Sequence, residues 1–145
     1  MAGVSCLECL RVTGVIIPAW LAVGIGGFVG AIARFQLSGW LAAWSEKQYG
    51  RAYPVGTLAV NVLGCLLIGL LMTLAEHKRL SADAQRLLVT GCLGSLTTFS
   101  TFGLDTVNLF REGRSGLGIV YVLANVIVGL TAVCGGIGIG RLLTR

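Results

Sequence analysis

Charge is what this sequence has least of. Only 12% of its 145 residues are Asp, Glu, Lys or Arg, about half the usual share of a soluble domain. Proline occurs twice and histidine once. With a single histidine, the CxxC pair Cys6 and Cys9 falls short of the four ligands a structural zinc needs, and the pair is read as structurally neutral. A further shortage concerns where the acids lie. Glu8, Glu46, Glu76, Asp83 and Glu112 fall at termini or in connections, and Asp105 lies in the outer half of its apolar segment. A proton-coupled exporter of cations needs an intramembrane carboxylate. Its lack weighs against a small multidrug transporter and favours an anion, which a buried carboxylate would repel. The first fourteen residues lack a clear small-residue cleavage site, which argues against a cleaved leader.

What is plentiful is apolar surface: 55% of the residues are hydrophobic and 22 are glycine. One bilayer crossing takes about 20 apolar residues, so the length predicts four helices with short loops. The fold class is an all-α integral membrane protein, multi-pass in the cell membrane, with no room for a separate soluble domain. An N-terminal arm (residues 1–14) precedes one transmembrane domain (15–145), with spans at about 15–35, 54–75, 87–110 and 117–140. Trp40 and Trp44, just past Arg34, mark an interfacial stretch. Gly26 and Gly30 have the spacing that lets a second backbone come close. Cys65, Cys92 and Cys134 sit in apolar runs as small hydrophobes.

The net charge of +5 comes from basic residues scattered at segment ends rather than clustered. They read as interfacial anchors in contact with the lipid bilayer, not as a nucleic-acid surface. With four spans, Arg11, Lys78, Arg79, Arg86, Arg141 and Arg145 share one side. Arg34, Lys47, Arg51, Arg111 and Arg114 share the other, a tally of six against five. So even a balance gives no preferred orientation. A chain inserting both ways can pair as a dual-topology antiparallel homodimer, as inverted repeats do within single chains. The balance favours that over pairing with a homologue or over a non-conducting assembly subunit.

Some polar groups do lie in the spans. Thr57 and Asn61 share one helical face, and Tyr121 and Asn125 share another. A lone asparagine is commonly glue between helices; two such faces beside a hydroxyl-rich segment suit a lined pathway. That segment is GSLTTFSTFG at 94–103, poor in helix formers, so the third helix is expected to break mid-membrane. Non-helical backbone survives there only when buried in protein or lining a cavity. Phe99 and Phe102, three apart, are either core aromatics or a pair whose electropositive ring edges can meet a dehydrated anion.

GGFVGAIARF at 26–35, GTLAVNVLGCLLIGLL at 56–71 and above all TGCLGSLTTFSTF at 90–102 resemble the Fluc (CrcB-type) fluoride channels. The resemblance covers about residues 25–140. It implies passive fluoride export and no enzymatic turnover, with two pores per antiparallel dimer. It makes Asn61 a polar donor, Phe99 and Phe102 the paired rings, Tyr121 the pore tyrosine, and Asn125 its neighbour one turn on. The hydroxyls of Thr98 and Ser100 join the pathway. A structural sodium ion (Na+) is implied on the backbone carbonyls of Gly94 and Thr97, each used twice across the dimer axis. Arg34 is a vestibule charge or an interfacial anchor. Asp105 is a second vestibule charge, standing where the family usually has the longer glutamate, and Ser95 stands where it often has glycine or alanine. The arm with Cys6 and Cys9 has no family role.

Overall fold

A computed structural model describes residues 9–12, 15–50 and 53–145. Cys6 lies outside them. Two short strands, β1 (Cys9–Val12) and β2 (Val15–Pro18), pair antiparallel ahead of the helices. The first span was expected to begin at residue 15, and this is corrected: helix α1 begins at Ala19. Val15, Ile16 and Ile17 are β-branched and suit extended backbone. Pro18, with φ −59° and ψ 140°, then opens the helix.

Among the described residues, four helical segments are long and apolar enough to cross a membrane. α1 (Ala19–Tyr49) runs through the expected interfacial stretch without a stop, so the helix continues well past the end of the apolar run near residue 35. Its 31 residues extend about 46 Å, more than the roughly 30 Å of hydrocarbon. It stops where Gly50 turns left-handed at φ 65°, a conformation glycine adopts without penalty. Buried Ser45 donates to the Ala42 carbonyl and accepts from the Tyr53 amide (3.2 Å), holding the return of the chain. α2 (Val55–Glu76) follows.

The third segment is composite. Ser81 caps α3 (Ala82–Gln85) by accepting from the Ala84 amide. A π-helical stretch, Arg86–Leu93, leads into the single turn α4 (Gly94–Leu96). Thr97 (φ −81°, ψ 153°) and Thr98 (φ −150°, ψ 114°) are extended. Helix resumes as α5 (Phe99–Arg111), whose first turn is capped by the Thr98 hydroxyl accepting from the Thr101 amide. α6 (Ser115–Leu143) completes the chain.

Glycines set the packing. Gly26 and Gly30 on α1 lie directly against the carbonyls of Leu87 and Cys92 in the π-helical stretch. α2 and α6 run parallel in close contact: Gly69 meets Val133, Gly136 meets Leu66 and Leu70, and Gly140 meets Thr73. A small core of Val60, Leu93 and Leu96, flanked by Ala33, Leu67 and Leu71, joins the helices. The large apolar side chains elsewhere, such as Trp20, Phe28 and Leu130, point outward, as lipid-facing surface should.

Candidate functional site

The interruption at Thr97–Thr98 is held open by a side chain. Asn61 on α2 accepts from the Thr98 amide (2.9 Å) and donates to the Thr98 carbonyl (3.3 Å). Its amide thus replaces the partners an unbroken helix would give that residue. The second N–H of the same amide donates to Asn125 Oδ1 on α6 (3.2 Å). Asn125 in turn donates to the Tyr121 carbonyl one turn back (2.9 Å). The two faces expected from sequence therefore meet each other across the interruption.

The diversion has a consequence for two carbonyls. In a continuous helix the Thr98 amide would close on the Gly94 carbonyl, and the Thr101 amide on the Thr97 carbonyl. The first goes to Asn61 and the second to the Thr98 hydroxyl. Gly94 and Thr97, the two residues named from sequence as carbonyl ligands, thus both lose their helical donors.

Above this crossing, Asp105 gathers two hydroxyls on one oxygen. Thr57 donates to its Oδ2 at 2.8 Å and Tyr121 donates to the same atom at 3.2 Å. Thr98 Oγ1 lies 3.0 Å from Thr101 Oγ1 and 3.2 Å from Ser100 Oγ, a run of hydroxyls beside the bend. Three rings form a file: Phe99 to Phe102 at 5.5 Å between centroids, and Phe102 to Tyr121 at 5.6 Å. Tyr121 is buried, whereas Phe99 at the other end is 83% exposed.

Two cavities flank the site and share Thr98. The larger, about 580 Å³, is lined by Arg34, Thr57, Thr98, Thr101 and Asp105 among others. The smaller, about 390 Å³, is lined by Asn61, Gly94, Thr97, Thr98, Phe99, Phe102 and Asn125. Arg34 and Asp105 thus line one space, and Arg34 lies within α1, about 22 Å from its start. Among the described residues, no buried side-chain polar atom lacks a partner, and no cluster of His, Cys, Asp or Glu suits a metal.

Two features were not foreseen from sequence. Asp105 is the meeting point of α2, α5 and α6, not a mouth charge alone; its partners stand 48 and 16 positions away, so no local pattern announces them. Arg114 also lines the larger cavity, with its guanidinium 4.8 Å from the Tyr53 ring centre and 3.1 Å from Glu112. Replacing Thr57 by valine removes one of the two donors to Asp105 while keeping the shape. It should lower thermal stability by about 1.5–3 kcal/mol, the worth of a hydrogen bond to a charged group, read as a shift in the unfolding midpoint.

The family described as CrcB-like protein, Camphor Resistance (CrcB), matches residues 21–137. Relatives named "Fluoride-specific ion channel FluC" occur in Agrobacterium fabrum, 43% identical over 120 residues, 82% of this chain and 93% of the relative. Those of Chloroflexus aurantiacus (43% identical; 83% of this chain, 94% of the relative) and Magnetococcus marinus (41%; 86% and 98%) carry the same name. Four membrane-capable helices and these relatives make the protein a multi-pass protein of the cell membrane. The chain belongs to the CrcB-like family, whose members are ion channels and not enzymes.

Proposed function

We propose that this chain is a subunit of a fluoride channel that lets the ion leave the cell passively. The observation that carries the reading is the interruption clamped by Asn61, with neutral donors and ring edges between two cavities. Asn61, Asn125, Tyr121, Thr98 and Ser100 carry hydrogen-bond donors without a formal positive charge. Such a series can replace part of the hydration shell of a small anion without trapping it. The edges of Phe99 and Phe102 add weak positive potential where donors are few. Arg34 concentrates the anion in the larger cavity.

Asp105 sets the order of events there. Its carboxylate occupies the hydroxyls of Thr57 and Tyr121, so an incoming fluoride must compete for them. A channel needs such exchange: binding strong enough to admit the ion and weak enough to release it. Hydrofluoric acid enters neutral and dissociates inside, and an inside-negative potential then supplies about 2.3 kcal/mol per charge per 100 mV for expulsion.

The complete channel in this reading is an antiparallel dual-topology homodimer with two pores. The exposure of Phe99 at the centre of the sequence motif and the six-against-five charge balance support it. A structural sodium ion fits the Gly94 and Thr97 carbonyls, because the diverted amides leave those oxygens available and carbonyl oxygen suits a hard cation. Its chemistry would be to fix the two interruptions against each other.

Efflux from liposomes holding the purified protein tests the reading. Fluoride should pass and chloride should not. Phe99→Ile and Phe102→Ile should each slow fluoride by about tenfold or more, equivalent to about 1.4 kcal/mol in the barrier. Equal passage of chloride, or wild-type rates in both variants, would reject the assignment.

A further inference from the structure

A third cavity, about 370 Å³, lies between the C-terminal halves of α2 and α6, separated from the smaller of the two cavities above by Ile68, which lines both. Its rim carries Glu76 and Arg141, and its walls include Met72, Ile68, Ile137 and Val133. The two helices run parallel here, and the positions correspond. Glu76 lies eight residues beyond Ile68 and Arg141 eight beyond Val133, so each charge stands about 12 Å above an apolar floor. The cleft therefore goes from a charged rim at the helix ends to an apolar base within the span.

The rim is unusual electrostatically. Glu76 is the last residue of α2, where the helix's own negative end disfavours an anion. Arg141 sits in the last turn of α6, where a cation is favoured. Both are exposed, both line the one cleft, and no ion pair joins them. His77, Lys78 and Arg79 follow Glu76 directly, yet none of them pairs with it among the described residues. A carboxylate and a guanidinium held apart over an apolar slot are complementary to a ligand bearing an anion, a cation and a chain.

We infer that this cleft binds a phospholipid whose headgroup carries a primary amine, phosphatidylethanolamine being the simplest. Arg141 takes the phosphate, where guanidinium matches two oxygens at once. Glu76 accepts N–H bonds from the ammonium, offsetting its unfavourable place at the helix end. An acyl chain lies along Met72, Ile68 and Val133. A choline headgroup offers no N–H to Glu76, and a glycerol headgroup offers no cation. The inference is independent of which ion the channel conducts.

The purified protein in detergent is offered an equimolar mixture of phosphatidylethanolamine, phosphatidylcholine and phosphatidylglycerol with matched chains, and retained lipid is measured by mass spectrometry. The ethanolamine lipid should exceed each of the others by about fivefold, close to 1 kcal/mol of selectivity. Glu76→Gln should bring it level with phosphatidylglycerol, and Arg141→Gln should lower retention of all three. Both residues are exposed at helix ends, so neither change threatens folding. Equal retention of the three lipids, no retention, or a preference that survives Glu76→Gln would each overturn the inference.

Discussion

Asn61→Ala should reduce fluoride efflux by about 100-fold, the largest loss expected from any single side chain of the proposed pathway, equivalent to about 2.7 kcal/mol. Asn61 satisfies both the amide and the carbonyl of Thr98 and also donates to Asn125. Its removal leaves three polar groups short of a partner where water is scarce, and each such group costs about 1–3 kcal/mol. The Thr98 amide has one nearby escape, the Gly94 carbonyl it would bond in a continuous helix. Taking it would close the interruption and withdraw an oxygen proposed to hold sodium. Asn61→Asp keeps an acceptor for the Thr98 amide but loses both donors and adds a negative charge. The aspartate variant should therefore conduct no better than the alanine variant and unfold no later, because its charge faces the Thr98 carbonyl and Asn125 Oδ1, at a cost the retained bond does not repay. Efflux by fluoride electrode and thermal unfolding in detergent read the two effects. Wild-type conduction in Asn61→Ala would remove Asn61 from the pathway.

How much of this could be read beforehand depended on how local each cause is. Hydropathy marked four apolar runs because bilayer crossing demands them segment by segment. It marked where the apolar run ends but not where the helix ends, since Arg34 and Gln36 lower hydropathy without stopping a helix, and the stop is Gly50. It misjudged the start, because Val15–Ile17 is a short apolar run that either helix or strand accepts. The hydroxyl-rich 94–103 segment drew attention by its poor helix propensity. What parts the backbone there is Asn61, 37 positions away. The pairing of Asn61 with Asn125 was legible only as two separate faces, and only the parallel packing of α2 and α6 joins them. The π-helical stretch Arg86–Leu93 has no sequence signal at all at the usual 3.6-residue period.

Gly30→Val should be strongly destabilising, by about 4 kcal/mol or more, in the range set by severe core overpacking. A side chain at residue 30 would enter the Cys92 carbonyl, and one at residue 26 would enter the Leu87 carbonyl. Neither obstacle is a flexible tip that can turn aside; both are backbone. The opposing surface is equally bare, since a Cβ on Gly91 would stand 2.6 Å from the Val23 carbonyl. α1 would have to withdraw from the π-helical stretch along its length, and Ala33 would leave the Val60, Leu93 and Leu96 core. Gly24 and Gly39 provide the contrast on the same helix, having nothing within 4 Å of an added Cβ. Alanine at either should be neutral or stabilising by up to about 1 kcal/mol through helix propensity. Thermal unfolding and size-exclusion profiles of the three variants decide the matter, and a Gly30→Val protein as stable as Gly24→Ala would refute the close-packing account. The smaller change Gly30→Ala is informative for function. Arg34 stands one turn beyond residue 30 and reaches the larger cavity only because α1 lies this close. A folded Gly30→Ala protein should therefore lose fluoride flux at low salt more than at high salt, since withdrawing Arg34 removes an attraction that ions screen.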